Sequence, residues 1–137
     1  MRDAARENIL HLAESDGGEL PSGLSRSFLE LLCMNISGGL LGGYLRDGFP
    51  LYCVNDYMIE HLGYADYSAF VADIDGQVMN GMHPDDRAQI GRQVNERMRA
   101  GQTYEVRYRM RRADGDYIWV NDIGRRVVDD AGREICI

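Results

Sequence analysis

Between Tyr104 and Met110 the chain alternates: Tyr104, Val106, Tyr108 and Met110 are interleaved with Glu105, Arg107 and Arg109. A period of two sends the two sets to opposite faces of an extended strand. From Tyr117 to Val128 a second stretch is rich in aromatic and β-branched residues, as a half-buried strand prefers. Asp114-Gly115 lies between them and supplies residues that tolerate positive φ, so the two stretches predict a long antiparallel hairpin. The rest of the chain has to cover its apolar face.

Upstream the period changes. His83-Pro84-Asp85-Asp86 starts a helix, with Pro84 where a missing N–H costs nothing and two carboxylates at the positive helix end. Ile90, Val94 and Met98 recur at helical spacing and Gly101 closes the element. Asn55 caps a short helix over Asp56 to Leu62 with Met58, Ile59 and Leu62 inward, ended by Gly63, and Tyr64 to Asp75 holds one or two further turns carrying Phe70, Val71 and Ile74. Gly39 to Arg46 and Pro50 to Val54 read as two strands around an Asp47-Gly48 turn. Glu134 to Ile137 starts a last strand after a turn at Asp129 to Gly132.

Two amphipathic helices are expected ahead of these elements. One covers residues 2 to 14, with the stripe Ala5, Ile9, Leu12 and Ala13; the other covers Ser25 to Asn35. They suit either a docking role or cover for the back of the sheet. The order of elements predicts an α+β fold: a helical segment over 1–36, then a domain over 37–137 with one antiparallel sheet of five strands and short helices on one face.

Composition narrows the function. A net charge of −7 argues against a nucleic-acid surface, and all 15 basic residues are arginine. Cys33, Cys53 and Cys136 are far apart among apolar neighbours, with no Cys-x-x-Cys pair, which suits reduced thiols in a cytoplasmic chain rather than a zinc or redox site. No apolar run approaches a membrane span, and the first residues lack a signal-peptide core. The glycines at 38, 39, 42 and 43 have no lysine and no Gly-x-Gly-x-x-Gly, so they are not a phosphate loop. Asp73-Ile74-Asp75-Gly76 has Pro84 where a calcium loop needs its final acid. No catalytic triad, carboxylate pair or metal spacing points to an enzyme.

Several motifs occur in order: Val54-Asn55, Leu62-Gly63-Tyr64, His-Pro-Asp-Asp-Arg at 83 to 87, Tyr-Arg-Met-Arg-Arg-Ala-Asp-Gly-Asp-Tyr-Ile-Trp-Val at 108 to 120, and Asp-Asp-Ala-Gly-Arg at 129 to 133. Together they resemble the PAS domain family over about residues 37 to 137. That resemblance implies a sensory or interaction module. Its pocket would lie between the inner sheet face and the short helices. Its terminal helices would pass a signal to an effector such as a diguanylate cyclase, a cyclic-di-GMP phosphodiesterase or a histidine kinase. It also implies a last strand normally longer than the one seen here. The chain is then expected to form a homodimer through the leading helices and the sheet face, with a small-molecule ligand or as a ligand-free coupling module.

If Tyr108 and Met110 face inward, Ile118, Val120 and Asp122 share their side and Trp119 and Asn121 face out; the opposite phase, with Trp119 inward, stays open. The candidate ligand-binding residues are Met58, Phe70, Tyr108, Met110, Val120 and Asp122. Asp122 is a carboxylate on an otherwise apolar face and needs a partner, either a neighbouring backbone or arginine group or a ligand. Flavin photosensors of the family carry cysteine in an Asn-Cys-Arg context, which Cys53 lacks. Haem needs an axial histidine, and 84–100 contains none.

Overall fold

A computed structural model describes residues 8–13, 30–31, 38–101, 103–129 and 131–137. Its strands are β1 (Leu10–Leu12), β2 (Leu41–Tyr44), β3 (Leu51–Asn55), β4 (Thr103–Arg111), β5 (Tyr117–Val128) and β6 (Glu134–Cys136). The helices between β3 and β4 are α1 (Asp56–His61), α2 (Tyr67–Ile74), a 3-10 turn (Val78–Gly81) and α3 (Pro84–Ala100). All six strands join one antiparallel sheet in the order β1-β3-β2-β6-β5-β4.

The sheet has six strands rather than five because the chain around Ile9 and Leu12, expected to be helical, is extended. β1 lies along the free edge of β3, with Leu10 opposite Asn55 and Leu12 opposite Cys53. Asp56 N–H donates to the Ile9 carbonyl at 2.9 Å, Ala13 N–H donates to Tyr52 at 2.8 Å, and His11 Nε2 lies 2.7 Å from Asp56 Oδ1. A short isolated helix is marginal in water, whereas an open strand edge offers a row of ready backbone partners. Tertiary pairing overrides the apolar stripe. The helix expected over Ser25 to Asn35 lies outside the described residues, apart from Glu30 and Leu31, which are helical.

The hairpin forms as its alternation requires. Tyr108 pairs with Val120, Met110 with Ile118 and Tyr104 with Gly124, and Gly115 takes φ 92 in the connecting turn. Tyr104, Val106, Tyr108 and Met110 are buried, while Trp119 is 60% and Ile123 71% exposed. The phase with Trp119 outward is the one adopted. On the inner face these side chains meet Ile59 of α1 and Leu62 just after it, Phe70 and Ile74 of α2, and Ile90, Val94 and Met98 of α3. Burying each such apolar side chain contributes about 1.5–3 kcal/mol. A second cluster, Tyr44, Tyr52, Cys53 and Ile135 with Leu10, Leu12 and Ile137, covers part of the outer face.

Caps and one ion pair hold the helices on the sheet. Asn55 accepts from Met58 N–H and Asp66 from Ala69 N–H; His83 Nδ1 accepts from Asp85 N–H at the start of α3. Asp86 does more than favour the helix end. Its carboxylate accepts from the Arg109 backbone N–H at 2.9 Å and from the guanidinium at 3.1 and 2.8 Å, fastening α3 to β4. That side-chain bond is the main reason the Asp86 carboxyl falls to about 2.

Gly124 is glycine because Tyr104 lies across it: a Cβ there would be 2.1 Å from the ring. Gly124→Ala should lower stability by about 1–3 kcal/mol through overpacking. Urea unfolding measures this, and an unchanged midpoint would contradict the register.

Candidate functional site

Beneath the centre of the sheet, three buried polar side chains and the half-buried Asp122 meet at the edge of an otherwise apolar interior. Tyr104 and Tyr108 come from β4, an even number of residues apart and hence on one face; Asp122 comes from β5 and Cys136 from β6. The Tyr108 hydroxyl donates to Asp122 Oδ2 at 2.9 Å, and the Tyr104 hydroxyl stands 3.5 Å from the same oxygen. The Cys136 thiol donates to the Gly43 carbonyl, with Sγ and O 3.4 Å apart, and lies beside the Tyr104 hydroxyl. Asp122 therefore finds its partners in tyrosine hydroxyls, neither an arginine nor a backbone group.

Burial governs the electrostatics. It lifts the Asp122 carboxyl above the ordinary carboxylate range, against the pull of the hydrogen bonds from Tyr108 and Tyr104. It also raises the Tyr104 and Tyr108 phenols and the Cys136 thiol, so all three stay protonated at neutral pH. These groups hold one another, and none of them is turned into a nucleophile.

A cavity of about 30 Å³ adjoins the cluster, bounded by Phe49, Ile90, Val94, Tyr104, Tyr108 and Asp122 among others. It has room for about one water molecule. Beside it, and sharing Tyr108, Asp122 and Leu41 as walls, is an open cleft of about 590 Å³ between residues 38–41, α1 and residues 119–123.

The six residues expected from the sequence to line a pocket divide in three. Tyr108 and Asp122 line both spaces. Met58 and Val120 line only the cleft. Phe70 and Met110 line neither: Phe70 packs edge-on against Tyr64 with ring centres 5.3 Å apart, and Met110 lies under Gly81. Tyr104 and Cys136 join the cluster without having been expected there. Tyr104 was legible, since it belongs to the same alternating set as Tyr108 and faces a glycine. Cys136 was not, because its neighbours depend on the pairing of β6 with β2. Among the described residues, no group of histidine, cysteine or acidic side chains could hold a metal ion, and no helix is long and apolar enough to cross a membrane.

Comparison with known proteins places this arrangement. The model of the PAS fold family matches residues 53–137, more than half of the chain. The chain belongs to the PAS family. No curated protein matches it. Among solved structures, the N-terminal domain of a diguanylate cyclase with PAS/PAC sensor from Marinobacter aquaeolei superposes with a TM-score of 0.52 at 22% identity, covering 70% of this chain and 85% of that one. At that identity the likeness speaks for the fold, and the fold is that of PAS sensor modules.

Asp122 in this PAS domain should leave a pH signature. Its folded-state pKa lies above the unfolded one, so its protonation favours the fold. That contribution is full below about pH 3.9 and is lost as pH rises through the folded-state value. Asp122→Asn keeps an acceptor for Tyr108 and carries no charge. As pH rises from 4 to 7, the variant should therefore gain stability on the wild type. Urea unfolding at each pH measures the difference, and parallel profiles would contradict the assignment.

Proposed function

We propose that this PAS domain is a regulatory module that acts by association, pairing with a second copy and coupling to an effector of the cyclic-di-GMP class, with a histidine kinase as the next choice. It has no catalytic role of its own. One observation carries the reading: the enclosed cavity beneath the sheet holds only about 30 Å³, and the cleft of about 590 Å³ beside it is open to solvent. A ligand pocket usually offers about 300–1,000 Å³. The company kept by the Marinobacter domain, the sensor part of a diguanylate cyclase, supports the choice of effector. Cys53 and Cys136 are free buried thiols, which suits a reducing, cytoplasmic setting.

The outer sheet face is the surface for the second copy. Trp119, Ile123 and Val127 stand in one row on β5 and are 60%, 71% and 39% exposed. Arg107 and Arg109 flank Trp119, with guanidinium carbons 5.6 and 5.3 Å from its ring centre, and give an acidic chain a basic strip to meet.

Native mass spectrometry of the purified chain should show a dimer whose mass equals twice the denatured mass. The variant Ile123→Glu, which needs no rearrangement of the interior, should run as a monomer in sedimentation. A bound organic compound on the native species would overturn the ligand-free reading. An Ile123→Glu dimer as tight as wild type would overturn the interface.

A further inference from the structure

The start of α3 belongs to the inner layer, yet it reaches two aromatic side chains of the outer face around the edge of β4, the end strand of the sheet among the described residues. His83 N–H donates to the Arg109 carbonyl at 2.9 Å, and the His83 ring centre lies 4.6 Å from that of Tyr117. Asp86 accepts from both the backbone N–H and the guanidinium of Arg109. With its side chain only 15% exposed, the Asp86 carboxylate offers a partner little surface of its own. What it holds is exposed.

These bonds fix how Arg109 meets Trp119. Backbone groups alternate in direction along an antiparallel strand. The N–H and C=O of Arg109 are engaged by Asp86 and His83, so they point away from β5. Arg109 and Trp119 stand opposite in register and therefore form a non-hydrogen-bonded pair, the kind whose side chains come closer. The guanidinium carbon of Arg109 lies 5.3 Å from the centre of the indole ring. An arginine free to turn gives up side-chain entropy to keep such a contact, whereas one already held by a bidentate ion pair does not have to.

Arg107 is the contrast. Its guanidinium carbon lies 5.6 Å from the same ring, but no side-chain hydrogen bond or ion pair fixes it among the described residues. Trp119, 60% exposed, is thus met by one anchored cation and one loose one, both from β4. A side chain whose pose is set before association loses less freedom when a partner arrives.

We propose that Asp86 is a positioning residue for the outer-face contact: acting through Arg109, it holds the Trp119 ring in the pose that a second copy meets. The consequence for pairing rests on the association reading above; the pose of Trp119 does not.

Asp86→Asn tests this, because it keeps an acceptor for the Arg109 N–H and loses the ionic hold on the guanidinium. In the wild-type chain, Arg109 side-chain protons should give nuclear Overhauser contacts to Trp119, the one tryptophan present. Asp86→Asn should lose them while Tyr108 keeps its contacts with Val120 across the hairpin. Arg107→Gln should leave the Arg109 contacts in place. In sedimentation, Asp86→Asn should dimerise roughly threefold or more weakly. Charge alone predicts the reverse, since the substitution removes a negative charge from a chain of net charge −7 and eases repulsion between copies. Arg109→Lys, which keeps an ion pair with Asp86 but lacks the planar fork, should weaken the dimer likewise and does so without freeing the helix start. Contacts that persist in Asp86→Asn, or that vanish equally in Arg107→Gln, would overturn the positioning role. Dimers of Asp86→Asn and Arg109→Lys as tight as wild type would overturn its bearing on pairing. A wild-type chain that never dimerises would overturn the association reading itself, and the contacts would still decide the pose.

Discussion

The antiparallel register that sets Tyr104 against Gly124 decides which side chains of the long hairpin reach the interior. A slip of β5 by one residue against β4 would turn Trp119, Asn121 and Ile123 inward beside Tyr104 and Tyr108 and would expose Asp122. Two constraints hold it. The turn at Asp114-Gly115 sets the phase from one end, and the Tyr104 ring, lying where any Cβ at position 124 would be, sets it from the other. With that phase fixed, α3 can lay Ile90, Val94 and Met98 on β4, and Asp86 can reach Arg109 to fasten the helix start. The interior follows from the hairpin.

Elements whose evidence is local were legible in the sequence. The alternation over 104–110, the cap at Asn55, the Pro84 start of α3 and its inward residues all appear as read, because each rests on residues a few positions apart. Elements whose evidence is distant were not. β1 is a strand only because β3 offers it an edge and Asp56 a partner for His11, 45 positions away. The same division runs through the site. Tyr108 and Asp122 could be paired from the hairpin alone, whereas placing Phe70 and Met110 away from the cavity required the packing of α2 and the 3-10 turn.

Asp122 connects the interior to the open side of the sheet. A carboxylate lodged among tyrosines raises the cost of its own charge, and the hydrogen bonds from Tyr108 and Tyr104 recover only part of it. Such a group is tolerated where it fixes geometry or awaits a partner. Here it does the first through two hydroxyls on one oxygen. Its side chain also forms part of the wall shared by the small cavity and the cleft.

The most direct test of this picture is a carbon-detected NMR titration of the Asp122 side-chain carboxyl in the intact chain. The account predicts a midpoint clearly above the ordinary carboxylate value of about 3.9, with the Tyr108 ring signals moving through the same transition. A midpoint at or below that value, or a tyrosine ring that ignores the titration, would mean that Asp122 is solvated and that the polar cluster does not organise the interior.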